Sequence, residues 1–157
     1  MKMGGSQFIH ARPDLVWASL MNAEILKASI PGCQEMTGSP EQGFEAVVVQ
    51  KVGPVKATFK GGVVLEHIHA PESLTLRGEG KGGVAGFAKG GANVKLTPDV
   101  NGTLLEYEVE AQLGGKLAQL GSRLIDGFAK KMADQFFARF KDIVEGEHTS
   151  EQLLTHG

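Results

Sequence analysis

From Phe44 to Leu113 apolar and polar residues alternate with period two, and a single long segment of helical spacing follows. No other feature limits the fold as strongly. Val55, Ala57 and Phe59 alternate with Lys56, Thr58 and Lys60, and Leu74 and Leu76 with Thr75 and Arg77. Ala92, Val94 and Leu96 alternate with Asn93, Lys95 and Thr97, and Leu105, Tyr107 and Val109 with Glu106, Glu108 and Glu110. Strands of this kind have one wet and one buried face, the pattern of an antiparallel sheet covered on one side. Turn residues at 70–73 and 98–102 separate them. Lys60-Gly61-Gly62 reads either as a further turn or as a bend inside one long strand.

Before the sheet, Gln7 to Ala11 is a short strand candidate. Pro13 suits the first turn of a helix, with Asp14 near the positive end of its dipole. Asn22 can cap a second short helix over 23–29, which Pro31-Gly32 ends. After Gly114-Gly115, Leu117, Leu120, Leu124, Phe128, Met132 and Phe136 recur at helical spacing, so a helix is expected from Lys116 to about Val144. A single domain over 1–146 is expected, with a loose polar tail over 147–157.

The glycines pose the main alternative. Gly78, Gly80 and Gly83 spell G-x-G-x-x-G, and a dinucleotide site would need a helix opening on them. Gly86, Gly90 and Gly91 interrupt the following segment instead, and Val94 to Thr97 resumes strand alternation. A phosphate-binding Lys-Ser or Lys-Thr is also missing, since Gly82 follows Lys81. The glycines are therefore read as bends that let a sheet curl.

Composition then narrows the classes. A net charge of −2 lacks the basic surplus of a nucleic-acid binder. One cysteine, Cys33, allows no internal disulfide and suits a reducing, cytoplasmic setting. No apolar run approaches a membrane span. One helix laid across a broad curved sheet leaves apolar space between them, where small ligands bind.

Several blocks then make the chain familiar. They are Pro13 with Val16-Trp17 and Leu20, Ile30-Pro31-Gly32-Cys33 and Lys51-Val52-Gly53-Pro54-Val55. Gly82-Gly83-Val84-Ala85-Gly86-Phe87-Ala88 with Gly90, Gly102-Thr103-Leu104-Leu105 with Tyr107, and the run from Gly114 to Ile125 complete the set. In this order they resemble the carbon monoxide dehydrogenase G-subunit (CoxG) family of the START-like, helix-grip superfamily, over nearly the whole chain from Gly5 to about Val144. The resemblance implies an α+β helix-grip fold: a curved antiparallel sheet of six or seven strands wrapped on a long C-terminal helix, with two short helices after the first strand. It implies a role beside molybdenum-containing carbon monoxide dehydrogenases and related hydroxylases, brought to the inner face of the membrane where electrons enter the respiratory chain. The superfamily implies a hydrophobic ligand, here expected to be a quinone or lipid, with no covalent cofactor. Longer relatives carry a C-terminal stretch able to anchor in a membrane, whereas this sequence stops at Thr155-His156-Gly157, so any membrane contact is expected to be peripheral.

Combining alternation with that fold, the expected cavity residues are Leu120, Leu124, Phe128 and Met132 on the helix. Phe59, Leu76, Leu105 and Tyr107 are expected on the sheet, and Leu26 and Ile30 at the second short helix. Phe87 is expected to close one end. Phe136, Phe137 and Phe140 with Lys130 and Lys131 are expected to meet headgroups or a partner; the competing reading is that this face wraps the sheet or a homodimer mate. Chemistry-bearing constellations are weak. His67 and His69 share a strand face without a recognisable third metal ligand, and Glu106, Glu108 and Glu110 share a wet face. Cys33 has no evident histidine partner and reads as a packed thiol, Trp17 as core. Tyr107 is the candidate for orienting a bound carbonyl, or for bonding to backbone. No catalytic or metal residue is assigned. Two alternatives stay open: a ligand-free assembly factor for the dehydrogenase, and a cyclase or hydratase working in the same cavity.

Overall fold

The computed structural model describes the backbone of residues 1–156 and the side chains of residues 1–148. The chain opens with β1 (Lys2–Ile9), then α1 (Pro13–Leu20) and α2 (Ala23–Ser29). Six strands follow: β2 (Cys33–Ser39), β3 (Gly43–Val52), β4 (Val55–His69), β5 (Ser73–Lys81), β6 (Phe87–Asp99) and β7 (Gly102–Gly114). A short helix α3 (Lys116–Gln119) precedes the long α4 (Ser122–His156).

The local causes are readable. Pro13 starts α1, and Asp14 bonds Arg12 at 2.8 Å, which holds the Asp14 carboxyl below its ordinary pKa. Asn22 Oδ1 accepts from the amides of Glu24 and Ile25, satisfying donors that the first turn of α2 leaves unpaired. Gly32, at φ 77°, ends this segment; a Cβ there would lie 2.1 Å from the Val49 carbonyl oxygen. The side-chain amide of Gln50 donates to the Pro31 carbonyl and ties the end of α2 to β3.

All seven strands form one antiparallel sheet in the order β1-β7-β6-β5-β4-β3-β2. Gly61-Gly62 lies inside β4, so the ambiguous pair is a bend in one long strand rather than a turn. At Gly61 and Gly90 the backbone of the next strand comes so close that a Cβ would sit 2.1 and 2.0 Å from the carbonyl oxygens of Glu79 and Glu110. Only glycine permits that approach, and it is where the sheet curls.

The inner face gathers two separate apolar clusters. One holds Ile9, Ala11, Val16, Leu96, Leu105, Phe137, Phe140 and Val144, with Leu15, Trp17, Tyr107 and Phe136 packed on it. The other, at the opposite end, holds only Val52, Leu117 and Ile125, with Val55, Phe59, Leu113, Leu120 and Phe128 around them. The helix expected to be continuous from Lys116 breaks at Leu120-Gly121, and α4 continues past Val144 to His156. The expected tail over 147–157 falls largely on side chains outside the described residues. The architecture is α+β and helix-grip.

Candidate functional site

Strand pairing fixes which side chains face α4. Leu65 stands opposite Leu76, Leu76 opposite Ala92, and Ala92 opposite Val109, so all four lie on the inner face. Val63, opposite Gly78, joins them. These apolar residues are only half-buried and belong to neither cluster. The closest approaches of α4 are to α2, with lesser contact to β1, α1 and β3. Between the two clusters these residues of β4, β5, β6 and β7 are therefore the candidate lining of an apolar hollow beneath α4.

Glycine makes the hollow deeper. Gly61, Gly78, Gly80 and Gly90 all have inner-face register, so the centre of the sheet presents bare backbone. A Cβ on Gly80 would meet nothing within 4 Å. The glycines read from sequence as bends thus also form a floor. Counting strand parity outward from Leu76 and Ala92 would have found it.

The expected cavity residues divide. Phe59 and Leu76 on the inner face of the sheet and Phe128 and Met132 on α4 are half-buried, Phe59 and Phe128 against the smaller cluster. Leu26 and Ile30 are half-buried on and just after α2. Leu120 is half-buried against the smaller cluster. Leu105 is 1% exposed within the larger cluster, where it supports one wall instead of meeting a ligand. Two placements are corrected. Leu124 is 37% exposed at the outer start of α4, beside Gly53 of the β3–β4 tip. Phe87 has the register of Lys89 and Gln112, so it lies on the outer face with its ring over Gly114 and does not close the hollow.

The late aromatic face of α4 also differs from expectation. Phe137 and Phe140 are 8% and 0% exposed, inside the larger cluster, and Phe136 stacks on Phe140 with centroids 5.6 Å apart. Lys130 and Lys131 are exposed, the former 3.9 Å from Asp134. The aromatic residues here are core, so they cannot form a surface contact.

Tyr107 sits where the hollow meets the larger cluster. Its ring stacks on Phe137 with centroids 5.2 Å apart, and Gly5 leaves room for its hydroxyl, which would lie 2.8 Å from a Cβ at that position. No hydrogen bond from this hydroxyl is found among the described residues, and partial burial, aided by Asp134, pushes the phenol pKa up. The hydroxyl thus reaches over β1 at the sheet edge, away from β4, β5 and β6. Cys33 donates to the Glu35 carbonyl at 3.3 Å, and burial raises its thiol, the state of an unreactive cysteine.

The remaining polar candidates lie outside the hollow. Glu106, Glu108 and Glu110 are exposed on the outer face, with Glu106 opposite Lys95. His67 and His69 are exposed at a bulge near the end of β4. Two open depressions on this outer face measure about 930 and 620 Å³. The first is bordered by Lys2, Arg77, Lys89 and Glu110 together with Leu76, Ala92 and Val109, the second by His67, His69 and Lys95 together with Leu74, Val94 and Tyr107, so both walls mix polar and apolar groups.

Comparisons with known proteins agree with this fold. A conserved protein from Geobacillus kaustophilus is 28% identical, with a TM-score of 0.87 over 94% of this chain and 97% of that one. An uncharacterized protein from Rhizobium leguminosarum (11% identity, TM-score 0.71, 92% and 94% of the two chains) shares the fold. So does a protein from Thermus thermophilus (14%, 0.69, 94% and 99%). No curated protein matches. No helix among the described residues is long and apolar enough to cross a membrane. The family of the carbon monoxide dehydrogenase G-subunit, CoxG, matches residues 5–145. With the seven-stranded sheet, the long helix and this match over most of its length, the chain belongs to the CoxG family.

Proposed function

We propose that this protein is a non-catalytic carrier that holds a quinone- or lipid-like molecule in the hollow beneath α4 while docking a molybdenum-containing carbon monoxide dehydrogenase, or a related hydroxylase, at the membrane. The observation that carries the reading is the row of apolar inner-face residues that belong to neither cluster. Inner-face Val63, Leu65, Leu76, Ala92 and Val109 are only partly buried, beside glycine backbone. Apolar side chains in that position favour an occupant that removes them from water, at roughly 25 cal/mol per Å² covered. A flat ring would lie against the glycine floor. The apolar character of these inner-face strand residues favours carriage over cyclisation or hydration. The family supplies the dehydrogenase as the partner class.

Native mass spectrometry of the purified protein, followed by organic extraction and identification of what is released, tests the reading. A stoichiometric quinone or lipid supports it. An apo mass that stays unchanged after incubation with quinones and lipids overturns it, and a docking factor without ligand then takes its place.

A further inference from the structure

The end of the molecule beside the smaller cluster carries the surface that the late helix does not provide. Three segments meet there: the β3–β4 tip at Gly53-Pro54, the 3₁₀ turn Gly83–Ala85 between β5 and β6, and the α3–α4 junction. They touch closely. Built Cβ atoms would lie 2.8 Å from Leu124 at Gly53 and 2.6 Å from the Gly86 Cα at Gly115. Three of the exposed large apolar side chains of the described residues are on these segments: Val84 at 86%, Phe87 at 40% and Leu124 at 37%.

Cations surround them. Lys51, Lys56, Lys60, Lys81, Lys116 and Arg123 are all exposed on these segments or the strand ends leading into them. Two pairs are direct cross-strand neighbours, Lys51 opposite Lys56 and Lys60 opposite Lys81. Like charges in that register oppose strand pairing, so sheet stability does not account for them. Among the acids here, Glu79 pairs with Lys81 at 3.7 Å and Glu110 with Lys2 at 3.6 Å, and Asp126 lies in the first turns of α4, which leaves Lys51, Lys56, Lys60, Lys116 and Arg123 as the cations in excess. The turns at the opposite end carry Glu41, Glu72 and Asp99 instead. On a chain of net charge −2 this is a strong polarity, and it would turn the cationic end toward a negative surface.

We infer that this end docks on an anionic phospholipid bilayer, with Val84, Phe87 and Leu124 entering the headgroup boundary and the lysines meeting lipid phosphates. An apolar tip inside a cationic ring is the composition of an interfacial membrane site. The inference deepens the membrane part of the proposed function by naming the surface that touches lipid, and it requires no ligand in the hollow.

Flotation with phosphatidylglycerol–phosphatidylcholine vesicles, against pure phosphatidylcholine vesicles, is the test. Binding to the anionic vesicles alone, weakened several-fold at high salt, is expected. Lys56→Glu with Lys60→Glu lowers partitioning about 25-fold or more, roughly fivefold for each lysine taken from the lipid-facing ring. Lys130→Glu with Lys131→Glu makes the same change in net charge on α4 and lowers it no more than about threefold, because screening weakens distant charges. Val84→Trp gives a second readout: its fluorescence is quenched by brominated lipid on binding, while Trp17, packed on the larger cluster, is not. Absence of binding, equal binding to both vesicle types, equal loss in the two double variants, or an unquenched Val84→Trp overturns the inference. An empty hollow in mass spectrometry leaves these results untouched, so failure of the ligand reading and failure of this one are told apart.

Discussion

Replacing Gly80 by valine, alongside Gly90 by alanine, separates a hollow from a packed interior. Both glycines lie on the inner face of neighbouring strands. A Cβ on Gly80 meets nothing within 4 Å, so the new side chain enters open space without displacing anything. Glycine inside a strand costs about 0.5–1 kcal/mol relative to alanine, and β-branched residues suit strands. Gly80→Val is therefore expected to be neutral or to stabilise the ligand-free protein by up to about 1 kcal/mol. Gly90→Ala is the reverse case. Its Cβ would lie 2.0 Å from the Glu110 carbonyl oxygen, so β6 and β7 must part by over an ångström. Overpacking of this kind costs about 3 kcal/mol. With a urea m-value of about 2 kcal/mol per molar, the unfolding midpoint falls by about 1.5 M for Gly90→Ala and does not fall for Gly80→Val. Gly80→Val is also expected to lose retained ligand while remaining fully folded. If it destabilises as much as Gly90→Ala, the space above Gly80 is filled and the argument for the hollow fails.

Three further outcomes follow from the clusters. Phe140→Ala removes a side chain that is 0% exposed and is expected to cost about 3–5 kcal/mol in urea unfolding, which a surface aromatic would not. Thr103→Val removes the hydroxyl that donates to the Ala11 carbonyl at 2.7 Å in a buried setting, leaving that oxygen unpaired at a cost of about 1–3 kcal/mol by the same assay. Tyr107 is the sole tyrosine, so ultraviolet titration reports it alone; its midpoint is expected above the usual value near 10. Because folding raises this pKa, folding favours the neutral phenol. Its contribution is complete below the unfolded pKa and is lost as pH rises through the folded value.

The sheet is legible because period-two alternation needs no knowledge of the partner strand, and each wet residue from Lys56 to Glu110 does lie on the outer face. The two short helices are legible from Pro13 and Asn22, which act on their own first turns. Expectation fails where a distant neighbour decides the outcome. A helical projection centred on Phe128 places Phe137 on the far side, but it assumes one partner along the whole helix. In the fold α4 faces the hollow around Met132 and then the α1–β1 cluster, so the buried stripe rotates by roughly 100° from Ile125 to Val144. The break at Leu120-Gly121 is hidden because Leu117, Leu120 and Leu124 keep helical spacing across it. Placing Phe87 in the hollow rests on the mobility of its glycine context, whereas its face is set by pairing with Gly114, which only the register reveals.

The unequal clusters imply where the hollow opens. Eight buried residues hold the end where α1, β1 and the late part of α4 meet, and three hold the other end. Local openings occur where few apolar contacts must be broken, so the smaller cluster yields first. The segments covering it are suited to movement. The 3₁₀ turn is bounded by Gly82 and Gly86, and α3 is a single turn separated from α4 by Leu120-Gly121. Only Ala85 in that 3₁₀ turn is well buried, at 2% exposure. This is also the cationic end, so an opening there would face lipid while the larger cluster stays closed and the fold remains intact. Native-state hydrogen exchange measures this directly. Amides over 82–88 and 116–121 are expected to exchange by local opening, far faster than the β1–β7 ladder near Ile9 and Leu105, which exchanges only with global unfolding. Equal protection at both ends would mean that the small cluster opens only when the whole fold does, and entry at this end would then be excluded.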